Sequence, residues 1–203
     1  NTGRCRELLV PGATVYLEDF KDRMGSRKMR FSLIGVEKET KKGTLLINMD
    51  SQAPNKVVKE ALLSNKILLP EMKELVEVKG EYTYGNSRID FYVKDGDGKE
   101  GLIEVKGVTL ENEGLASFPD APTERGIKHL LELEKAVCEG KKSYALFVIQ
   151  MKGIHSFTPN DERHKAFGDA LRQASRNGVH VLAYDCIVSD DSLKLDKQIT
   201  VKL

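Results

Sequence analysis

Four kinds of feature are scarce or missing in this 203-residue sequence, and each narrows the class of protein. Cysteine is scarce: Cys5, Cys138 and Cys186 stand far apart, in odd number and without a C-x-x-C pair. That argues against a disulfide framework and for a reducing compartment, with Cys138 and Cys186 read as small buried groups. No apolar run approaches the roughly 20 residues needed to cross a bilayer, and no secretory signal pattern is present, so a cytoplasmic protein without a membrane partner is expected. A bulk excess of positive charge is also missing. The 32 Lys+Arg against 31 Asp+Glu leave a formal net charge of +1, so the molecule as a whole does not collect nucleic acid by charge alone. No helix-turn-helix, zinc-finger, repeat or low-complexity pattern occurs, which leaves sequence-specific promoter reading as the weakest form of DNA recognition open to it.

What is present is the composition of a folded chain, 40% hydrophobic and 31% charged, long enough for one large or two small domains. The charge is unevenly placed. Residues 1–59 hold 12 of the Lys+Arg and 7 of the Asp+Glu, a net of +5, and residues 60–203 hold the remaining 20 and 24, a net of −4. A basic front and a mildly acidic back fit a phosphate-binding module joined to a metal-binding one, and ordinary scatter explains the same counts. The sequence opens at Asn1 rather than Met, in a turn-like stretch, which suggests a trimmed chain or a missing first strand.

Turn signals break residues 1–52 into short strands over 14–17, 30–37 and 44–48, the pattern of a small barrel, with a basic loop from Lys21 to Arg30 between the first two. Over Asn55 to Ser64 the period changes. Val57, Val58, Ala61 and Leu62 form an amphipathic helical stripe, with Asn55 as the expected N-cap and Glu60 near its buried flank. Strands are expected over 75–83, 88–94 and 102–110, the last two joined by the hairpin signal Asp95-Gly96-Asp97-Gly98. A long helix spans 123–139, capped by Thr123 and ended by Gly140. Residues 143–150 are a continuous apolar run of the buried, parallel type. A helix near 161–177, a strand over 179–184 and a short tail complete the chain. The fold class is therefore α+β or α/β: a β-barrel segment over 1–52, then an α/β domain with a mixed central sheet over 53–203.

The most informative constellation lies in the hairpin. Asp90 stands in Ser87-Arg88-Ile89-Asp90-Phe91, and Glu104 and Lys106 stand in Gly101-Leu102-Ile103-Glu104-Val105-Lys106. A divalent cation of the Mg²⁺ or Mn²⁺ type takes hard oxygen ligands and keeps several waters. Asp90 and Glu104, on paired strands, supply two carboxylates, and the Val105 carbonyl a third oxygen. Lys106 faces the same side as Glu104, because strand side chains alternate, and there it can polarise a water or steady a phosphoryl oxygen. Such a set serves metal-assisted phosphodiester hydrolysis. Glu60, on the preceding helix, is a candidate extra acid. A Glu-x-Lys triplet also occurs as a simple surface pair. The run Leu102-Ile103-Glu104-Val105, however, is apolar enough to be buried, and a buried carboxylate needs a partner or a metal.

The order helix, three strands, helix, strand, with an acid and Glu-x-Lys on the second and third strands, resembles the PD-(D/E)XK nuclease core. A more specific resemblance is carried by Asn1-Thr2-Gly3-Arg4, Glu7-Leu8-Leu9, Pro11-Gly12, the Asp90 and Glu104 segments, and Gly178-Val179-His180-Val181-Leu182-Ala183. Its most distinctive stretch is Phe118-Pro119-Asp120-Ala121-Pro122-Thr123-Glu124-Arg125-Gly126-Ile127-Lys128-His129-Leu130. Over nearly its whole length the chain resembles the sugar fermentation stimulation protein A (SfsA) family. That resemblance implies an N-terminal OB-like β-barrel followed by a PD-(D/E)XK nuclease-like domain, DNA binding, and a regulatory link to sugar metabolism. Members carry more sequence before the stretch equivalent to Asn1, so an incomplete barrel is expected. The family name describes a phenotype rather than a reaction. A metal-dependent nuclease, a non-catalytic DNA-binding regulator that kept the nuclease fold, and an RNA or small-nucleotide phosphodiesterase all stay open, as does a homodimer.

DNA contacts are expected from Arg4, from Arg27, Lys28 and Arg30 in the basic loop, and from Arg88 beside Asp90. Arg125 and Lys128 join them at the start of the long helix, where Gly126 would let a phosphate approach backbone N–H groups. The alternative for that helix start is a rigid, capped connection. Tyr16 and Phe31 either stack bases, as in OB-folds, or fill the barrel, the simpler reading. His129, in the first turns of the long helix and near the expected site face, can contact phosphate or order a metal-bound water, although a lone helical histidine is more often structural, the favoured reading. His180, in an apolar strand, reads as structural.

Overall fold

The computed structural model describes residues 5–203. Arg4 lies outside the described residues. The first module is an antiparallel three-stranded sheet of β1 (Val15–Asp19), β2 (Phe31–Thr40) and β3 (Gly43–Asn48), in that order. Val36, Ile47 and Met49 are fully buried in the same cluster as Leu133 and Phe147 of the second module, so one core runs through both.

The second module is built on a six-stranded mixed sheet. Helix α1 (Ala53–Leu63) comes first, then the antiparallel strands β4 (Leu75–Tyr84), β5 (Ser87–Asp95) and β6 (Glu100–Val108). Asp95 closes the turn into β6: its buried carboxylate accepts the backbone N–H groups of Lys73, Asp97 and Lys99 at 2.9–3.0 Å. Next, β7 (Leu110–Asn112) and β8 (Leu115–Phe118) leave the main sheet as a small hairpin. Helix α2 (Glu124–Cys138) then returns the chain to β9 (Lys142–Ile149), parallel to β6. A second crossover through β10 (Ser156–Pro159) and α3 (Asp161–Arg176) delivers β11 (Val179–Val188), parallel to β9. The chain ends in β12 (Leu193–Gln198) and β13 (Thr200–Val201). The main sheet has the order β12-β11-β9-β6-β5-β4, and a smaller one the order β13-β10-β8-β7.

Side chains alternate across β6 and β9. Ile103, Val105, Leu146 and Val148 cluster with Val58 and Leu62 of α1, while Leu102, Ala145 and Phe147 cluster with Leu133 of α2 and Leu171 of α3. Helices therefore cover both faces, which is why the central strands read as continuous apolar runs. Burying each large side chain stabilises the fold by about 1.5–3 kcal/mol.

Three expectations change. Helix α1 begins after Gln52 with Pro54 in its first turn, where the missing N–H costs nothing, so Asn55 is the third helical residue and not the cap. The expected C-terminal tail is two strands, one on each sheet. Cys138 is exposed, whereas Cys5 and Cys186 are buried, and all three are free thiols. No helix among the described residues is long and apolar enough to cross a membrane.

Candidate functional site

The site forms where β5 parts from β6. Their ladder runs from Lys94↔Glu100 to Phe91↔Ile103 and stops. Asp90, the next residue, bridges the gap with its side chain: Oδ2 accepts the Val105 N–H at 2.8 Å, and Oδ1 accepts from Asn55 Nδ2 at 2.8 Å. A carboxylate thus stands in for a ladder carbonyl and satisfies a backbone donor. Asn55 reaches it because it shares the sheet-facing stripe of α1 with Val58 and Leu62, at i, i+3 and i+7.

Glu104 is nearly inaccessible, its side chain 5% exposed. Its Oε1 accepts from Lys106 Nζ at 2.5 Å and is paired with His129 Nδ1. Its Oε2 is buried and has no hydrogen-bond partner among the described residues. His129 is itself buried, and its Nε2 accepts from Arg125 Nε at 3.4 Å, one helical turn earlier. That contact assigns the imidazole proton to Nδ1, which donates to Glu104.

Burial pushes the Asp90 carboxyl above the usual carboxylate range, and the Glu104 charge adds to the rise against the pull of the two hydrogen bonds. Burial acts the same way on Glu104, but the His129 hydrogen bond and the Lys106 charge outweigh it and leave Glu104 lowered. The two acids are thus shifted in opposite directions, and a cation near both would favour the ionised form of each.

Asp90, Glu104 and Lys106 all open onto one cavity of about 420 Å³, with Asp120, Arg125 and Gln150 on its other walls. Gly107 is required at its floor. A Cβ there would stand 2.9 Å from Pro54 Cγ and would also press on Gln150 Oε1. Gln150 is fixed in turn: its two Nε2–H groups are shared among Asn48 O, Asn48 Oδ1 and Asp50 O at 2.8–3.1 Å, tying the junction of the two modules to the site.

Not every expected residue arrives. Glu60 lies five residues beyond Asn55, about 140° around the helix. It is exposed and lines a different cleft with Asp50, Lys56 and Asp190, so it is not an acid of this site. Of the expected DNA contacts, Arg125 lines the cavity, while Arg27, Lys28, Arg30, Arg88 and Lys128 do not. Arg30 forks onto Asp19 at 2.7 and 2.5 Å, and this hydrogen bonding lowers the Asp19 pKa to about 2. Arg27 lies over the Phe20 ring at 3.7 Å, and Lys28 is exposed. Arg88 pairs with Glu81 at 3.4 Å, and Lys128 donates to Asn86 O at 3.0 Å. Tyr16 is half-buried and donates to Glu37 at 2.7 Å, but Phe31 is 46% exposed and does not fill a barrel. The Gly126 N–H is taken by Thr123 Oγ1 at 3.1 Å, and an added Cβ would stand 3.1 Å from the Phe167 ring, so this helix start is a capped, packed connection.

Asn55 is the residue the sequence reading missed as part of the site, and His129, favoured there as structural, is joined to Glu104. Each had a signal: a polar side chain on the apolar stripe of its helix, Asn55 with Val58 and Leu62, His129 with Leu133 and Ala136. Among the described residues no group of three His, Cys, Asp or Glu converges on a metal position. The unpartnered oxygen of Glu104, which lines the same cavity as Asp90, nevertheless fits a hard divalent cation that keeps water or substrate oxygens as its remaining ligands.

A buried acid and a Glu-x-Lys strand thus stand at the parting of two central strands, in a mixed sheet covered by helices on both faces. Residues 52–192 match the family described as sugar fermentation stimulation protein RE domain, and residues 1–47 match the SfsA N-terminal OB domain. The chain belongs to the SfsA family. The sugar fermentation stimulation protein homolog of Desulfitobacterium hafniense is 54% identical over 205 residues, covering 100% of this chain and 84% of its own length. That of Clostridium beijerinckii is 51% identical over 203 residues, with 100% and 85% covered. The structure of Pyrococcus furiosus SfsA in complex with Ca²⁺ has the same fold, with a TM-score of 0.86 at 24% identity over 100% of this chain and 84% of that one.

Proposed function

We propose that the chain binds DNA and that its nuclease-like domain hydrolyses phosphodiester bonds, using Mg²⁺ or Mn²⁺ held by Asp90 and Glu104. One observation carries this reading: Glu104, which lines the same cavity as Asp90 and Lys106, keeps a buried Oε2 without a partner. A cation bound there would neutralise phosphoryl charge and activate a water. The protein's own residues do the rest. Asn55 and the Val105 N–H orient Asp90, and His129 holds Glu104. Lys106 lines the cavity with an ammonium that can donate to a water or a phosphoryl oxygen. Arg125 offers its guanidinium to a backbone phosphate. The Pyrococcus relative is described with Ca²⁺, a cation of the same oxygen-preferring class, which is in line with this reading.

A second reading keeps the DNA and drops the reaction: a regulator of sugar-metabolism genes that retains the nuclease fold. The absence of Glu60 from the site, and of any three-residue ligand cluster among the described residues, favours it. The deciding experiment incubates labelled single- and double-stranded DNA and RNA with Mg²⁺, Mn²⁺ or EDTA, beside the Asp90→Ala variant. Cation-dependent product that the variant fails to make supports the enzyme. Retarded but intact nucleic acid in every lane supports the regulator.

A further inference from the structure

We propose that His129 is the positioning residue of this centre. By holding Glu104 Oε1 it leaves Oε2 for the cation, and through Arg125 it joins the cation site to the wall that meets the phosphate chain. The proposal rests on the metal reading above and assigns the part that sets the strength of cation binding.

A carboxylate can turn about its last torsion and offer either oxygen. Here Lys106 and His129 both bond Oε1, and Oε2 is left without a partner. His129 is 4% exposed and shares the buried stripe of α2 with Leu133 and Ala136, so its ring is confined. Its second nitrogen accepts from Arg125 Nε, which keeps the proton on the nitrogen that faces Glu104. Arg125 is exposed and lines the cavity, so its terminal guanidinium N–H groups remain for a ligand there. A partner that fixes the orientation of a liganding group typically contributes about 10–100-fold to metal affinity.

The test is Mn²⁺ binding to the whole chain, followed by electron paramagnetic resonance in wild type, Asp90→Ala, His129→Leu, His129→Asn and Arg125→Ala. Wild type should bind Mn²⁺ and Asp90→Ala should not. His129→Leu should weaken binding by about 10–100-fold. His129→Asn, whose amide carries an N–H near the place of Nδ1, should restore most of that loss. A role in packing alone gives the reverse order, because leucine fills the apolar stripe better than asparagine. Arg125→Ala should weaken binding by less than His129→Leu. Wild-type affinity in His129→Leu, or Asn no better than Leu, overturns the proposal and leaves the metal centre standing. If His129→Leu does not fold, His129→Asn decides: affinity near that of wild type supports the proposal, and a loss of tenfold or more overturns it. Absence of Mn²⁺ binding in wild type overturns the centre itself, and this proposal with it.

Discussion

Replacing Gly107 with alanine should loosen the cavity without touching any of its charged groups. The added Cβ would stand 2.9 Å from Pro54 Cγ and press on the Gln150 amide oxygen. Carbon atoms pack best at about 3.5–4.0 Å. Neither neighbour moves freely: Pro54 is buried in the first turn of α1, and the two amide N–H groups of Gln150 are engaged by Asn48 and Asp50. Overpacking of this kind costs about 1–3 kcal/mol. Releasing one of Gln150's hydrogen bonds adds about 0.5–1.5 kcal/mol. The sum is about 1.5–4.5 kcal/mol, a fall in Tm of roughly 3–18 °C for a chain of this size. In a strand with room for it, the same substitution stabilises by about 0.5–1 kcal/mol, so the sign of the change separates the two cases. Thermal unfolding followed by circular dichroism in EDTA measures it. A Gly107→Ala protein that melts at or above the wild-type temperature would refute the close packing at the cavity floor.

Two further outcomes follow from the local geometry. Thr123→Ala removes the acceptor of the Gly126 N–H and should lower stability by about 1 kcal/mol, with Thr123→Ser near wild type; equal melting of Thr123→Ala and wild type would show that the cap contributes nothing. The Arg30 fork that lowers Asp19 to about 2 contributes stability that is fully present above the unfolded value near 4 and is lost as the pH falls through about 2. An NMR titration should place the Asp19 midpoint near 2 and return it to the ordinary range in Arg30→Ala; a wild-type midpoint near 4 would remove the ion pair from solution.

Much of this architecture was legible because period and turn chemistry agreed. The apolar run of β9, the Asp95–Gly98 turn and the Thr123 cap each had a local cause, and each appears where that cause put it. The acids were legible for a different reason: charged residues inside apolar runs demand an explanation, and Glu104 has one in His129 and Lys106. Glu60 misled because it borders the apolar stripe in sequence yet lies about 140° around the helix from Asn55, on an exposed face that lines another cleft. His129 was legible only as a residue near the site face; its partner Glu104 becomes visible only in the packing of α2 on β6. The small sheet of β7, β8, β10 and β13 has strands of two to four residues, too short for any period to register.

The claim that this cleft cuts nucleic acid is tested most directly by Lys106→Ala, with two readouts on the same labelled DNA. Cleavage is followed on gels in Mg²⁺ and in Mn²⁺, and binding by fluorescence anisotropy in EDTA. Wild type should cleave, and the variant should lose about 10²-fold or more of that rate while its Kd for DNA stays close to wild type. A variant that cleaves as fast as wild type would take Lys106 out of the reaction, and a wild-type protein that binds DNA but leaves it whole with either cation would contradict the account.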